Sequence, residues 1–235
     1  MPRFFVDPAK WDAEPCLEGD EARHCSRVLR ARPGDSVGVF DGAGRHAEAT
    51  VLDIGRDHVT LKLGETLHEP VPKLEVVLAQ AVIKGKAMDW LLQKAVELGV
   101  TSIQPLTTEH AVAQPGEGKE EKWQRLVLEA CKQCGRSRMP EVRPMLALDA
   151  FLDLDQSGAV IVASLKDGEP LRDRIASLQS PTSITFLIGP EGDFSELEYQ
   201  KIQEAGAVSA SLGSAVLRSE TAAIHCISSV SYAFS

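Results

Sequence analysis

The sequence contains no long hydrophobic run, few aromatic residues and no excess of positive charge. Of its 235 residues, 5% are aromatic, 43% are hydrophobic and 25% are charged, and the formal net charge is −9. A membrane span needs roughly 18 consecutive apolar residues, so no membrane segment is expected. The acidic balance argues against indiscriminate nucleic-acid binding, while the hydrophobic fraction is sufficient for a buried core.

Features of secreted, disulfide-stabilised proteins are also missing. The N-terminal segment Met1–Asp7 does not show the charged and then apolar layout of a signal peptide. Five cysteines, an odd number in a chain of this length, favour reduced thiols over a disulfide framework. We therefore expect a cytoplasmic protein.

Motifs for metals and for nucleotide phosphates are absent or misplaced. Cys131 and Cys134 form a C-x-x-C pair within a helical pattern, but no second pair follows, and the histidines show no metal-binding spacing, so no metal is expected. No P-loop occurs. Residues Gly42–Ala47 match G-x-G-x-x-A, but a strand pattern follows where a dinucleotide site needs a helix, so this match is interpreted as a hairpin turn.

The periodicity of apolar residues changes at the stiff segment Glu69–Pro72. Before it, short strands surround one predicted helix at Asp20–Ala31, which is typical of a small β-barrel. After it, strands and helices alternate, which predicts an α/β domain with a mostly parallel sheet. The predicted strands of this second part are Leu74–Val82, Ser102–Leu106, Ala159–Ser164, Ile184–Ile188 and Val208–Leu212, and its predicted helices are Lys86–Leu98, Glu120–Gly135, Pro170–Leu178, Ser195–Ala205 and Glu220–Phe234.

Two loops that contain glycine follow strands of this predicted parallel sheet. The segment Gly189–Gly192, with the sequence Gly-Pro-Glu-Gly, follows one strand, and Gly213 follows the next strand. Ligands bind beyond the carboxyl ends of parallel strands, and glycine lets the backbone approach a ligand closely. Each loop alone could be a tight turn. Together they indicate one pocket, with Arg218 and Glu220 beside it at the start of the last helix.

Two basic stretches interrupt the acidic sequence. Residues 23–32 contain four arginines and no acid, and residues 122–143 contain six bases against two acids. Such stretches suit a selective contact with RNA or phosphate. Solvated helix faces have the same composition, and composition alone favours that interpretation.

A set of short stretches, in order along nearly the whole chain, identifies a known family. They are Pro2–Phe5, His24 with Arg27–Arg30, Gln93–Gly99, Glu129–Cys131 with Gln133–Arg136, Ile188–Gly192, Leu212–Gly213 and Val216–Ala222. The set resembles the bacterial family that methylates N3 of a uridine in 16S ribosomal RNA, within the SPOUT methyltransferase superfamily. Four residues depart from the family pattern: Asp193 replaces a glycine, Ser214-Ala215 replaces Pro-Arg, and His110 replaces an arginine.

The resemblance implies an α/β protein of two domains. Residues 1–70 would form a PUA-like RNA-binding β-barrel, and residues 73–235 a SPOUT methyltransferase domain whose parallel sheet carries a deep trefoil knot near the C-terminus. The implied activity is S-adenosylmethionine-dependent methylation of 16S ribosomal RNA of the small ribosomal subunit. A homodimer would form through the knotted domains, with an apolar face of the last helix contributing. That face consists of Ile224, Ile227, Val230 and Phe234.

The resemblance also implies the residues of the site. The cofactor contacts would come from Leu165, Leu187, Gly189, Pro190, Glu191, Gly192, Leu212, Gly213, Val216, Leu217, Arg218, Thr221 and Ala222. Glu191 and Glu220 are the candidates for catalytic proton transfer, and Arg218 is the candidate for stabilising a uracil anion. The RNA contacts would come from Arg3, His24, Arg27, Arg30, Arg136 and Arg138.

Two other functions remain open at the level of sequence. The same fold could methylate a different RNA position, for instance a ribose hydroxyl. An RNA-binding or assembly factor that has lost catalysis would keep the same domains, and the departures at Asp193 and Ser214-Ala215 are its only support.

Overall fold

The chain divides into two compact units in a computed structural model. The described residues are 1–111, 118–155, 157–166 and 168–234. The first unit contains Met1–Val71 and Leu128–Met139, and the second contains Pro72–Val127 and Pro140–Ser235. The boundary after Val71 lies in the predicted break, whereas the segment 128–139 groups with the first unit. The domains predicted as residues 1–70 and 73–235 stay a prediction.

A six-stranded sheet forms the first unit. Its strands are β1 (Arg3–Phe5), β2 (Cys16–Glu18), β3 (Ser36–Phe40), β4 (Arg45–Ile54), β5 (His58–Leu63) and β6 (Leu67–His68). The order is β1-β3-β4-β5-β2, with β6 on β4, and every pair is antiparallel except β1 with β3. A bulge between Val51 and Asp53 bends β4. The buried core of this unit includes Phe4, Leu17 and Val39.

The predicted hairpin turn between β3 and β4 is confirmed. Asp41 is buried, and its Oδ1 accepts hydrogen bonds from the backbone N–H groups of Ala43 (2.8 Å) and Arg45 (2.9 Å). The Arg45 guanidinium completes the turn, because its Nε donates to Asp41 Oδ2 at 2.6 Å. A charge-assisted network thus fixes the segment that imitates a dinucleotide motif.

The helix predicted at Asp20–Ala31 differs from the observed structure. An α-helix, α1 (Gly19–Arg23), continues as a π-helical turn over His24–Val28 rather than as a regular helix to Ala31. The backbone N–H of Leu29 donates to His24 O at 3.0 Å, which is the wider spacing of a π-helix, and Arg30 then ends the turn with φ +55°. The N-cap position is Glu18, two residues before the predicted start of the helix at Asp20.

An all-parallel sheet of eight strands organises the second unit. Its strands are β7 (Glu75–Ala81), β8 (Ser102–Thr107), β9 (Glu141–Val142), β10 (Leu146–Ala147), β11 (Ala159–Ala163), β12 (Glu169–Pro170), β13 (Ser183–Ile188) and β14 (Val208–Ser211). The order is β10-β8-β7-β13-β11-β14-β12, with β9 on β8. All six residues of β13 are buried, as expected for an inner strand of a parallel sheet. The α/β class with a parallel sheet is therefore confirmed.

The helices of the second unit match the predicted helices except for the short helix Leu148–Leu152, which was not predicted. They are α2 (Lys86–Glu97), α3 (Lys119–Cys134), α4 (Leu148–Leu152), α5 (Leu171–Ser177), α6 (Glu196–Glu204) and α7 (Ser219–Phe234). Helix α3 begins in the second unit, and its residues from Leu128 onward group with the first unit. Gly99, with φ +94°, lies just beyond the end of α2, where a C-terminal glycine is expected. A capping box of Ser195 and Glu198 begins α6, at the predicted start of this helix.

The apolar face predicted for the last helix is divided between core and surface. Ile227 and Val230 are buried, because α7 packs against α2 and β13 within its own unit. Their assignment to a dimer contact is therefore wrong. Phe234 and Tyr232 are exposed at the end of the helix, and Tyr232 is 90% exposed. No helix among the described residues has the length and apolar character needed to cross a membrane.

Candidate functional site

A cavity of about 570 Å³ lies at the carboxyl ends of β11, β13 and β14. These three strands are neighbours in the order β13-β11-β14, so the loops that follow them meet at one edge of the parallel sheet. The walls come mainly from Ala163–Leu165, Ile188–Glu191 and Ser211–Glu220. The volume lies within the range of about 300–1,000 Å³ that is usual for small-molecule and cofactor sites.

Most of the predicted cofactor residues line this cavity. They are Leu165, Gly189, Pro190, Glu191, Leu212, Gly213, Val216, Leu217, Arg218 and Ala222, and the predicted catalytic residue Glu220 joins them. Three predicted residues do not line it. Leu187 is part of the hydrophobic core, Gly192 lies against His110, and Thr221 is exposed on α7. The structure therefore brings the two glycine-containing loops together, while the roles of the individual residues stay predictions.

The loop after β13, which we call the elbow loop (Gly189–Asp193), is fixed to the start of α7. Ser219 Oγ donates a hydrogen bond to Gly189 O at 2.5 Å and accepts one from Gln80 Nε2 at 2.9 Å. Gln80 and Ser219 are both buried. A Cβ atom added at Gly189 would lie 3.0 Å from Asp193 Oδ1, so little room remains beside that glycine. The elbow loop is held in one conformation by contacts that are distant in sequence.

Two glutamates tie the neighbouring loops to this region. Glu191 Oε1 accepts the backbone N–H of Lys84 at 3.0 Å, which joins the elbow loop to the loop after β7. Glu198 is buried, and its carboxylate accepts the N–H groups of Ser195 (2.9 Å) and Glu109 (2.8 Å). The capping glutamate of α6 therefore also holds the loop after β8.

Asp193 occupies a backbone conformation that favours glycine. Its φ is +61°, a region that aspartate tolerates better than most residues. Its Oδ1 accepts hydrogen bonds from Phe194 N (2.8 Å) and from the Tyr199 hydroxyl (2.9 Å). Burial, together with the Asp193 carboxylate, raises the pKa of Tyr199 above its ordinary value. The unusual aspartate is thus accommodated by specific partners.

His110 reaches the same loop. Its Nδ1 lies 3.1 Å from both Gly192 O and Asp193 O, so a protonated Nδ1 donates to these carbonyls. The departures from the family pattern at His110 and Asp193 therefore meet at one point of the structure.

The loop after β14, which we call the distal loop (Gly213–Leu217), is held much more weakly. Gly213 has φ +125°, and its N–H lies 3.5 Å from Ser211 Oγ, which is the one hydrogen bond that residues 213–217 make among the described residues. Val216 is 77% exposed although it lines the cavity. Arg218 and Glu220 follow at the start of α7, and both line the cavity.

Several lining residues were missed by reasoning from the sequence. They are Ala87, Ala163, Ser164, Ile188, Asp193, Ser211, Ser214, Ala215 and Ser219. Ser164 and Ser211 lie at the carboxyl ends of β11 and β14, so the rule on strand ends could have identified them. No pattern in the sequence indicates Ala87, which lies in the first turn of α2.

The six residues predicted to bind RNA all belong to the first unit. Arg3 and Arg138 have structural partners there. Arg3 donates to Ser137 Oγ (2.8 Å) and Arg136 O (3.3 Å), and Arg138 Nε donates to the backbone carbonyl of Glu69 (3.1 Å). Burial lowers the pKa of Arg3. These two guanidinium groups therefore hold segment 128–139 in the first unit.

The remaining predicted RNA residues differ in exposure. Arg27 lies in the π-helical turn and Arg30 follows it, and both are exposed. His24 is half-buried, with its ring 5.7 Å from the Phe4 ring in an edge-on contact. Arg136 is half-buried. A contact with RNA at these positions stays a prediction.

The two cysteines of the C-x-x-C pair differ in environment. Burial raises the pKa of the Cys131 thiol to about 12, whereas Cys134 is exposed. Over the parts of the chain that the structure describes, no group of three or more His, Cys, Asp or Glu side chains is placed to hold a metal ion. The expectation that the protein needs no metal stays a prediction.

Comparison with protein families gives a match for each part of the chain. The model of the RNA methyltransferase domain matches residues 69–231, and the model of the RNA methyltransferase PUA domain matches residues 17–64. The chain is 32% identical to ribosomal RNA small subunit methyltransferase E of Synechocystis over 94% of its own length and 74% of that protein. It is 27% identical to the Bacillus subtilis protein of the same name, over 99% and 96% of the two chains.

Solved structures resemble the chain over almost its whole length. A Legionella pneumophila protein, described as a methyltransferase in complex with bound S-adenosylmethionine, has a TM-score of 0.90 and 30% identity over 99% of this chain and 98% of its own. Ribosomal RNA small subunit methyltransferase E from Neisseria gonorrhoeae, also solved with S-adenosylmethionine, has a TM-score of 0.82 and 32% identity over 97% and 96%.

Proposed function

The chain belongs to the RNA methyltransferase family, and we propose that it methylates N3 of a specific uridine in 16S ribosomal RNA with S-adenosylmethionine as the methyl donor. The observation that carries this proposal is the cavity at the carboxyl ends of β11, β13 and β14, where the elbow loop and the distal loop meet. The names of the relatives, and the cofactor bound in two neighbours, support both the substrate class and the donor.

The residues of the cavity fit this cofactor. Much of the wall is loop backbone, which offers N–H and C=O groups to a nucleoside and to an amino acid. An added Cβ at Gly213 would meet no heavy atom within 4 Å, so the cavity is open beside that glycine. Leu165 and Val216 line the cavity with apolar side chains that are 58% and 77% exposed. Such exposed apolar groups suit the face of a nucleobase.

The catalytic task of the protein is to orient the uracil imide and to remove its proton. When bound, S-adenosylmethionine supplies an electrophilic methyl group. The proton acceptor that we propose is Glu220, which is half-buried and lines the cavity. Its carboxylate has no hydrogen-bond partner among the described residues. The Glu191 carboxylate already accepts the Lys84 N–H, so we assign it to holding the loop. Arg218 lines the same cavity and would stabilise negative charge on the uracil.

The decisive experiment transfers a labelled methyl group from S-adenosylmethionine to small ribosomal subunits of a strain that lacks the modification. Digestion and mass spectrometry then locate the label. Label on uracil N3 of 16S ribosomal RNA is the expected result. Label on a ribose hydroxyl would replace the proposed position, and cofactor binding without transfer to any RNA tested would favour a non-catalytic assembly factor.

We propose that 16S ribosomal RNA binds to the first unit through its exposed arginines. Arg27 and Arg30 are exposed, whereas Arg3 and Arg138 already bind protein groups. The double variant Arg27→Ala with Arg30→Ala should therefore weaken RNA binding and reduce its dependence on salt, since phosphate contacts release counterions. Its cofactor affinity should not change. Unaltered RNA affinity would show that these arginines are only a solvated surface.

We also propose a homodimer that forms through the second unit. A trefoil knot near the C-terminus of that unit is a further part of the proposal. The dimer is supported by an apolar groove on this unit that includes Leu171, Ile175, Tyr232 and Phe234. Light scattering should give twice the chain mass at micromolar concentration, and a monomer there would exclude the dimer. The knot rests on the family resemblance, and an experimental structure that traces residues 183–234 tests it. A cytoplasmic location is part of the same proposal.

A further inference from the structure

Asp193 lies on the wall of the cavity, and buried groups fix its carboxylate. Its Oδ1 receives both the Phe194 N–H and the Tyr199 hydroxyl, and Tyr199 and Phe194 belong to the hydrophobic core. The rings of these two residues pack edge to face at 5.6 Å. The second oxygen, Oδ2, has no protein hydrogen-bond partner among the described residues. One oxygen therefore positions the group, and the other remains available to a ligand.

The charged groups around the cavity are unbalanced. Glu191, Asp193 and Glu220 contribute three carboxylates to its lining, and Arg218 contributes the one guanidinium among the described lining residues. Of the three acids, Asp193 is the one whose position is set by a core tyrosine, and Glu191 is bound to the Lys84 N–H. A cavity of this composition favours a ligand with a positive charge.

We propose that Asp193 makes the cavity select the methyl donor, with its cationic sulfonium, over the demethylated product, which lacks that charge. This inference rests on the proposed function. The donor and the product share the nucleoside and the amino acid. They differ at the sulfur atom, which is a positively charged sulfonium in the donor and a neutral thioether in the product. A carboxylate fixed at the cavity wall stabilises the first ligand more than the second, because the Coulomb interaction acts on the charge alone. Specificity of this kind is a difference between two affinities, and it would favour release of the product.

Asp193 also shapes the turn, so the test must separate charge from conformation. Asparagine keeps the acceptor oxygen for Tyr199 and Phe194 and tolerates positive φ, yet it carries no charge. Asp193→Asn therefore preserves the loop and removes the proposed determinant. Asp193→Gly provides a second variant, because glycine adopts φ +61° without strain. The matched control is Glu204→Gln, which removes one negative charge from an exposed position of α6.

Calorimetry measures the dissociation constants of S-adenosylmethionine and S-adenosylhomocysteine for each full-length protein at low salt. The ratio of the product constant to the donor constant should fall by about fivefold in Asp193→Asn and Asp193→Gly, which is a difference of about 1 kcal/mol. The fall should come mainly from weaker binding of the donor. Glu204→Gln should keep the ratio of the wild-type protein.

Each outcome of this experiment has a distinct meaning. If both ligands bind the wild-type protein and the ratio is the same in Asp193→Asn, Asp193 is only a turn residue and the inference is wrong. If the wild-type protein binds neither ligand, the proposed function fails and the inference fails with it. Added salt should lower the ratio of the wild-type protein and hardly change that of Asp193→Asn, since screening acts on the charge.

Discussion

The elbow loop and the distal loop face the same cavity, but they are stabilised to very different extents. Gly189, Glu191 and Asp193 of the elbow loop all make hydrogen bonds to residues outside the loop, including Ser219 and Lys84. The distal loop has the 3.5 Å contact of the Gly213 N–H with Ser211 as its one hydrogen bond among the described residues. One wall of the cavity is thus formed before a ligand arrives, and the other is open to adjustment.

This difference indicates how the energy of binding is distributed. A preformed wall costs little ordering on binding, whereas a loosely held wall must be ordered by the ligand itself. Changes in the elbow loop should therefore alter the stability of the fold first. Changes in the distal loop should alter ligand binding first.

Gly213→Val should abolish binding of S-adenosylmethionine while the protein remains folded. Gly213 has φ +125°, where a β-branched residue is strongly strained, and an added side chain would enter the open space beside the cavity. Calorimetry measures the loss of binding, and circular dichroism checks the fold. Gly206→Val is the matched control, since Gly206 also has positive φ and open space but lies outside the cavity lining. Normal cofactor affinity in Gly213→Val would place the ligand elsewhere.

Glu220→Gln should lower kcat by about 100-fold, the lower end of the contribution expected from general base catalysis. Glu191→Gln should leave kcat nearly unchanged, because the amide oxygen of glutamine still accepts the Lys84 N–H. Steady-state assays with saturating RNA compare the two variants, and both should bind the cofactor normally. The opposite result, with the larger loss in Glu191→Gln, would move the proton acceptor to the elbow loop.

Ser219→Ala should reduce the free energy of unfolding by about 1–3 kcal/mol, the cost of leaving a buried hydrogen-bonding group without its partner. The change removes the donor to Gly189 O and one acceptor of Gln80 Nε2. Urea unfolding measures the effect. Ser229→Ala is the control on the same helix, because Ser229 Oγ donates only to His225 O at an exposed position. Equal stability of the two variants would show that Ser219 does not hold the elbow loop.

Local patterns in the sequence predicted what depends on local physics. A few consecutive residues are enough to recognise the buried run that becomes β13, the glycines of both loops and the capping box at Ser195. The bond between Gln80 and Ser219 joins residues that are 139 positions apart, so no local pattern contains it. The same holds for the second partner of Glu198, the backbone N–H of Glu109.

Some elements of secondary structure were not predicted because they also depend on contacts outside the local sequence. Strands β9, β10 and β12 have two residues each, and their pairing partners rather than their own composition define them. The π-helical turn depends on a hydrogen bond between Leu29 and His24 that a helical periodicity does not distinguish from an α-helix. The apolar stripe of α7 was visible in the sequence, but burial of Ile227 and Val230 depends on what packs against them.

The smallest predicted effect concerns the pH dependence of the elbow loop. Burial and the Asp193 carboxylate raise the pKa of Tyr199 in the folded protein. The unfolded state, with a tyrosine pKa of about 10, therefore loses this proton first, and stability that is complete below pH 10 is lost as the pH rises toward the folded pKa. At about pH 10.5 the loss from this one group is about 1 kcal/mol. Tyr199→Phe is less stable than the wild-type protein at pH 8 because the hydrogen bond to Asp193 is gone. It lacks the alkaline loss, so the difference in unfolding free energy between the two proteins should be smaller at about pH 10.5 by that amount.

Urea unfolding at the two pH values measures the change. Tyr232→Phe, at a position that is 90% exposed, should run parallel to the wild-type protein. A constant deficit in Tyr199→Phe would show that the elbow loop does not hold the tyrosine in its protonated form.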